Sequence, residues 1–192
     1  MKLVTAFVAL GHPIMVNFNY GTTFKGAYDH VEEAVNELVP ILKQYGLYER
    51  EVEYDLENNI SDTRTGFWFH VDGALGAAYM PFLEMTEENP DLPMFDFRIE
   101  DIHSITMSGH KWIGTPWPCG VYMSKVKYQL QPPDNPNYIG SPDSTFAGSR
   151  NGFSALILWD YLAKHSYDDS MEMILRAREL VEYTVEQLNN LE

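Results

Sequence analysis

The sequence predicts an α/β domain in which helices flank a mostly parallel sheet on both sides, giving three layers. Short runs rich in β-branched and aromatic residues are typical of strands, and they recur as "IMVNFN", "FWFHV", "SITMS" and "GVYMS". Apolar residues spaced three and four apart predict helices between and after these runs. The chain has 192 residues, of which 45% are hydrophobic and 14% aromatic, enough for one sizeable core.

The first strand is predicted from Ile14 to Gly21, where a glycine ends the β-rich run. A loop, "GTTFKGAYD", leads to a helix with apolar residues at helical spacing from Val31 to Tyr45. Asp29 is placed to cap the start of this helix. Pro40 lies inside it and is expected to kink or end it, because proline lacks the backbone donor.

The middle of the chain alternates polar and buried segments. "YEREVEYDLENNISDTRTG" is expected to be a surface excursion, and the buried strand Phe67 to Val71 follows it, with Asp72 at its end. Two short strands, "SITMS" and "GVYMS", come next. The Pro/Gly/Asn/Ser-rich stretch "QPPDNPNYIGSPDSTFAGSRNG" predicts a long loop, and loops of this length are usually functional or mobile.

Two helices are predicted at the end of the chain. "GFSALILWDYLAKH" is apolar enough for a buried helix, whereas the last segment has one apolar stripe opposite charged residues. We therefore divide the chain into a large domain, residues 1–166, and a long amphipathic helix, residues 167–192, leading toward a small C-terminal domain. The stripe consists of Met171, Ile174, Ala177, Val181, Val185 and Leu188.

Charge and composition exclude several classes of partner. The formal net charge of −15, from 13 basic and 28 acidic residues, argues against binding to nucleic acid or an anionic membrane surface. No apolar run approaches the roughly 20 residues that span a bilayer, and the N-terminus lacks the small-residue cleavage site of a signal peptide. A single cysteine, Cys119, excludes an internal disulfide and favours the reducing cytoplasm.

Chemically active side chains follow three of the predicted strands. Asp72 ends one strand, Lys111 follows another by a tight turn, and Thr22 and Thr23 follow a third. Ligand sites of parallel sheets form just beyond the carboxyl ends of the strands. An acid and a lysine at two strand ends, 39 residues apart (111 minus 72), suit pyridoxal phosphate. The amine forms a Schiff base with the cofactor aldehyde, and the acid pairs with the ring nitrogen.

Small and polar residues surround these two positions. Ser108 and His110 are suited to holding an anion such as the cofactor phosphate, and Ala74 is small enough for a flat ring to lie against it. Glycines allow close approach of backbone segments and occur at positions 73, 76 and 109.

Each of these residues also has a purely structural interpretation. Lys111 taken alone would be a solvated surface lysine, and Asp72 could cap a helix after the strand. His110 could hydrogen-bond only to backbone. His70 and Asp72 share one face of a strand and could suggest a metal site, but no third ligand stands out, so we expect no metal.

Four segments together resemble the group II pyridoxal-dependent amino acid decarboxylases, in particular the bacterial histidine decarboxylase-like branch. They are "NFNYGTTFKGAYD", "HVDGALGA", "SGHKWIGTPWPCGV" and "TFAGSRNG", in the family's order between Ile14 and Gly152. The resemblance implies the large domain of the aspartate aminotransferase fold, fold type I, with Lys111 as the Schiff-base lysine and Asp72 as the partner of the ring nitrogen. The other cofactor-binding positions it implies are Ala74 against the ring, Ser108 near the cofactor, His110 at the phosphate, and Thr23 near the aspartate and the phenolic oxygen of the ring.

The family resemblance implies decarboxylation of an L-amino acid to an amine and CO2, in a homodimer whose active site lies at the subunit interface. It implies that Gly148 to Gly152 approaches an active site, often that of the partner subunit. Family members carry a phosphate-cradling loop and a ring-stacking histidine before the position of Met1, so we expect a central part of a decarboxylase. The alternatives are a non-catalytic remnant or one part of a split enzyme, and a lyase or aminotransferase of the same fold is a third option.

Overall fold

The computed structural model describes residues 1–86, 92–129 and 148–191. Within these ranges the chain forms five α-helices and six strands. The elements are α1 (Lys2–Val8), β1 (Ile14–Asn19), α2 (Val31–Gln44), β2 (Arg50–Asp55), β3 (Ile60–Arg64), β4 (Phe67–Asp72), α3 (Met80–Met85), β5 (Ser104–Ser108), β6 (Gly120–Ser124), α4 (Gly152–Lys164) and α5 (Tyr167–Asn189).

Four strands form one sheet in the order β1-β4-β5-β6. β1 and β4 are parallel, and β4 and β5 run in the same direction, because residue numbers rise along both strands at their hydrogen bonds. His103 N donates to Phe69 O at 3.0 Å, and Gly73 N donates to Thr106 O at 3.1 Å. The carboxyl ends of β1, β4 and β5 therefore lie at one edge of the sheet.

β6 runs against β5. Gly109 N donates to Cys119 O at 2.9 Å, whereas Lys125 N donates to His103 O at 3.2 Å, so residue numbers fall along one strand as they rise along the other. The predicted α/β class, with a mostly parallel sheet and flanking helices, is confirmed.

The chain divides into two compact units. Unit 1 contains β1 to β4 and the helices α1 and α2, whereas unit 2 contains the helices α3 to α5. Unit 1 comprises Met1–Asp72, Pro93–Ile105 and Met123–Lys125, and unit 2 comprises Gly73–Leu92, Thr106–Tyr122 and Val126–Glu192. The predicted division into residues 1–166 and 167–192 stays a prediction.

The core of unit 1 is built on alternate residues of β4. Phe67, Phe69 and Val71 are buried, whereas the residues between them are only half-buried, as expected when successive side chains point to opposite faces. The ring of Phe69 packs edge-on against that of Phe18 on β1, with centroids 5.8 Å apart. Helix α2 adds a buried stripe to the same core, formed by Val31, Val35, Leu38 and Leu42.

Two details of α2 differ from the sequence prediction. Asp29 does not cap the helix, because His30 is the N-cap residue, and the His30 side chain makes no capping hydrogen bond. The Asp29 carboxylate instead accepts a hydrogen bond from Asn19 N at 2.8 Å, which ties the loop to the end of β1. Pro40 does not end the helix, which continues to Gln44 with the proline exposed.

The polar excursion between α2 and β4 contains an antiparallel hairpin. β2 and β3 pair from Arg50 opposite Arg64 to Asp55 opposite Ile60, with an irregularity between Glu53 and Asp55. β3 is exposed along its whole length, which agrees with a surface excursion. Its strands were not predicted because the segment lacks an apolar face.

In unit 2, α3 packs against α5. The prediction that α4 is a buried helix is wrong. No residue of α4 is buried, although Leu156, Trp159 and Leu162 are apolar. Only part of the α5 stripe is buried, since Ile174 is covered while Val181 is exposed. None of the described helices combines the length and the apolar character needed to cross a bilayer.

A capping box starts α5 and offers a test of this unit. Ser166 Oγ accepts from Asp169 N at 3.1 Å, and the Asp169 carboxylate accepts from Ser166 N at 2.7 Å. The bond from Ser166 N, and next a bond that Ser166 Oγ donates to the same carboxylate at 2.8 Å, lower the pKa of Asp169 below its ordinary 3.8.

We expect Ser166→Ala to lower the free energy of unfolding at pH 7 by about 1 kcal/mol, because the helix loses its N-cap acceptor. A carboxylate with a lowered pKa stabilises the fold above its ordinary pKa and stops doing so as the pH falls through the folded value. The difference from wild type should therefore shrink in acid. Urea unfolding at pH 7 and in acid measures this difference in the free energy of unfolding. Ser166→Thr is the control that keeps the hydroxyl. Equal losses in the two variants would contradict the capping role.

Candidate functional site

In unit 1, Asp72 is the last residue of β4 and lies opposite Asn19 of β1. Its carbonyl accepts a hydrogen bond from Tyr20 N at 2.8 Å, so the strand end is held by the backbone of its neighbour. Asp72 is half-buried and shares a strand face with Trp68 and His70, because alternate residues of a strand point the same way. This face is separate from the apolar core face of β4.

A buried serine organises that face. Ser104, which is 0% exposed, lies with its Oγ 2.8 Å from Trp68 Nε1 and 2.7 Å from His70 Nδ1. Burial lowers the pKa of His70, and the nearby charge of Asp72 and a hydrogen bond to the Ser104 backbone partly oppose that shift. These residues connect the middle of β4 to the start of β5.

His103, next to Ser104, has a structural role that the sequence did not reveal. It is 0% exposed, and its Nδ1 accepts a hydrogen bond from Phe69 N at 3.1 Å. An accepting Nδ1 carries no proton, so the ring is neutral with its proton on Nε2. The imidazole also packs edge-on against Phe67, with centroids 4.9 Å apart.

Thr23 lies in the loop after β1 with its side chain exposed. The preceding Thr22 shapes this loop, since its Oγ1 accepts from Ala27 N at 3.0 Å and its own N–H donates to Ala27 O at 2.8 Å. Thr22 therefore has a structural role in the loop, and the predicted cofactor contact of Thr23 stays a prediction.

Unit 2 brings four predicted residues together around one turn. Ser108 N donates to Ala74 O at 3.1 Å, and Lys111 N lies 3.4 Å from Ser108 O. Ala74 and Ser108 are half-buried, while His110 and Lys111 are exposed. The turn thus presents an amine and an imidazole beside a hydroxyl and a small side chain.

The ring of His110 is held by the backbone at the start of β6. Its Nδ1 lies 2.9 Å from Cys119 O and 3.2 Å from Cys119 N. Nδ1 donates in the first contact or accepts in the second, so the tautomer selects between them. Either contact uses Nδ1, and the predicted phosphate contact would fall to Nε2.

Cys119 is 5% exposed and forms no disulfide, as expected of a small buried hydrophobe. Among the described residues there is no group of three or more His, Cys, Asp or Glu side chains arranged to hold a metal ion.

Close backbone approach at Gly73 and Gly109 is confirmed. A Cβ at position 73 would lie 2.5 Å from Ala77 Cβ and 3.1 Å from Thr106 O, and one at position 109 would lie 3.2 Å from Cys119 Sγ. Glycine is therefore needed directly after Asp72, where β4 ends against β5.

The side chains at these positions fit pyridoxal phosphate. A primary amine at position 111 can attach to the aldehyde, and a carboxylate at position 72 can pair with the ring nitrogen. Ala74 leaves room for a flat ring, and Ser108 and His110 offer a hydroxyl and an imidazole to a phosphate. Unit 1 carries the carboxylate, and unit 2 carries the amine and the anion-binding groups.

Comparison with known proteins identifies the relatives of this chain. Residues 2–191 match the family model described as the pyridoxal-dependent decarboxylase conserved domain. A histidine decarboxylase of Vibrio campbellii is 33% identical over 93% of this chain and 39% of its own length. Serine decarboxylase 2 of Oryza sativa subsp. japonica is 33% identical over 81% of this chain and 27% of its own length.

Among solved structures, L-methionine decarboxylase from Streptomyces sp. 590 is 50% identical and superposes with a TM-score of 0.89. That match covers 100% of this chain and 41% of the solved chain, so the chain spans about two fifths of that relative's length. The predicted fold, part of a fold type I large domain, is confirmed by this likeness.

The tight packing at Gly73 yields a direct test of the strand end. Gly73→Ala should lower the free energy of unfolding by about 1–3 kcal/mol, because the new methyl group overpacks the contact with Ala77 and Thr106. Gly120→Ala is the matched control, since a Cβ there would meet no atom within 4 Å. Chemical unfolding of both variants measures the difference, and a Gly73→Ala variant as stable as Gly120→Ala would refute the close approach.

Proposed function

Because the chain belongs to the pyridoxal-dependent decarboxylase family, we propose that the protein containing it removes the carboxylate of an L-amino acid as CO2. The observation that carries the proposal is the Lys111 turn. It presents an exposed amine after β5, while the neighbouring strand β4 ends in the half-buried carboxylate of Asp72. The resemblance assigns these two residues to the cofactor's aldehyde and ring nitrogen.

Each predicted residue has a role in this proposal. Lys111 Nζ would hold the cofactor through its aldehyde, and Asp72 would pair with the ring nitrogen and favour its protonated form. Pyridoxal phosphate, when bound, supplies a ring that takes up the electron pair left as the bond between Cα and the carboxylate breaks. Lys111 or a neighbouring acid would supply the proton that takes the place of CO2 on Cα. Ala74 leaves space for the ring, while Ser108, His110 Nε2 and Thr23 hold the phosphate and ring oxygens.

L-Methionine is the first candidate substrate. The decarboxylase of Streptomyces that acts on it is 50% identical to this chain, whereas the histidine and serine decarboxylases above are each 33% identical. Substrate choice in this family depends on side chains around the amino acid, and a higher identity preserves more of them. Decarboxylation of L-methionine would yield 3-methylthiopropylamine.

The proposal includes a homodimer in the cytoplasm. A second copy would cover apolar side chains that α4 exposes, among them Leu156 and Trp159. A single cysteine, buried and unpaired, is typical of a protein kept in a reducing compartment. The competing possibility is that the chain is a non-catalytic remnant or one part of a split enzyme.

Replacing Lys111 tests cofactor attachment. We expect the natural protein that contains this sequence to bind pyridoxal phosphate and to show the absorbance band of the bound cofactor. Lys111→Ala should lose that band and the release of CO2, because the proposal assigns attachment of the cofactor to this amine. Lys127→Ala is the matched control, a lysine over the ring of Tyr128 at a distance of 5.0 Å. A band that survives in Lys111→Ala would overturn the assignment, and a wild type without any band would support the remnant.

A substrate panel tests the choice of amino acid. Incubation with L-methionine, L-histidine and L-serine, each assayed for trapped CO2, amine and keto acid, should give the highest kcat/KM with L-methionine. Its amine should appear in a one-to-one ratio with CO2. Turnover of L-histidine or L-serine above that of L-methionine would reject the proposed substrate. Keto acid without CO2 would reject decarboxylation in favour of transamination.

A further inference from the structure

A set of hydrogen-bonded side chains lies on the face of β4 that also carries Asp72, opposite the apolar core face. The indole N–H of Trp68 can only donate, so Ser104 Oγ accepts from it at 2.8 Å. The same Oγ lies 2.7 Å from His70 Nδ1. Because Ser104 is 0% exposed, its hydroxyl is shielded from bulk water and gives the imidazole a fixed contact.

Strand geometry places His70 directly before Asp72 on this face. The two residues are two positions apart, so their side chains project from the same side of β4, with Cα atoms about 7 Å apart. The charge of Asp72 acts on the imidazole, since it raises the pKa of His70 against the larger lowering by burial. The net direction favours a neutral ring.

We propose that His70 is a positioning residue for Asp72, and that Ser104 and Trp68 fix the imidazole in place. This inference rests on the proposed function, because it concerns how the carboxylate is presented to the ring nitrogen of the cofactor. In this proposal the imidazole would lie beside the carboxylate, limit the rotamers of Asp72 and keep water from one side of it. A neutral imidazole does this without forming an ion pair that would compete with the ring nitrogen.

The hydrogen-bonded side chains Trp68, Ser104 and His70 differ in chemistry from the apolar face of β4. The opposite face of β4 is apolar and explains why the strand is buried. Packing alone does not require a serine at the 0% exposed position 104 beside an indole and an imidazole. A polar group is costly to bury, so its two hydrogen-bonding contacts suggest a role in orienting His70.

The test measures binding of pyridoxal phosphate to the natural protein that contains this sequence. Ser104→Ala and His70→Phe should each weaken binding about 3- to 10-fold, the usual effect of losing one hydrogen bond. The double variant should bind pyridoxal phosphate as tightly as the single variant with the lower affinity, because both changes break the same set of hydrogen bonds. In an Asp72→Asn background, His70→Phe should have less than a twofold effect. His30→Phe, the same exchange at an exposed histidine, is the control and should change binding by less than twofold.

A second readout separates this inference from the proposed function. In cofactor-free protein, the ¹⁵N shifts of the His70 ring should change in Ser104→Ala and not in His30→Phe. Additive losses of affinity in the double variant, or an undiminished effect of His70→Phe in Asp72→Asn, would overturn the positioning role. If wild-type protein bound no pyridoxal phosphate, the proposed function would fail and the role toward the cofactor with it. The ¹⁵N shifts would still show whether Ser104 contacts His70.

Discussion

Alternate side chains of strand β4 point to two opposite faces, and both the core of unit 1 and the placement of Asp72 depend on this alternation. Phe67, Phe69 and Val71 enter the core of unit 1, while the residues between them face the other side and end at Asp72. Parallel pairing with β1 over six consecutive residues fixes this register. A slip of one residue would exchange the two faces, burying Asp72 and exposing the phenylalanines.

The turns after β4 and β5 are fixed by backbone contacts and small residues. Gly73 has no space for a side chain, and its N–H bonds to Thr106 of β5. Ser108 N bonds back to Ala74 O, so the start of the Lys111 turn is tied to the residue that follows β4 by two positions. The lysine side chain remains exposed although the backbone that carries it is held. An anchored backbone with an accessible amine is what attachment of a cofactor requires.

The sequence predicted the main sheet well because its four strands combine β-branched and aromatic residues with clear ends. It missed the hairpin of β2 and β3, whose polar strands have no apolar face to give a signal. It also misassigned α4, because apolar composition reports what a helix can bury and not what lies against it. Asp29 was misjudged since a carboxylate before a helix can bond elsewhere, here to Asn19.

For the site, short motifs predicted residue types and their order, and Lys111 and Asp72 came from that information. The contacts of Ser104 and His103 could not be foreseen, because they join residues more than 30 positions apart in the chain. Only the pairing of β4 with β5 brings these side chains to the same place.

We propose that Asp72, at the end of a strand whose register is fixed by the core, binds the ring nitrogen of pyridoxal phosphate. A crystal structure of the cofactor-loaded natural protein would measure the distance from the Asp72 carboxylate to that nitrogen. We expect about 2.7–2.9 Å, the length of a charge-assisted hydrogen bond, with the aldehyde end of the ring at Lys111 Nζ. A ring nitrogen paired with another residue, or a ring bound away from Lys111, would contradict it.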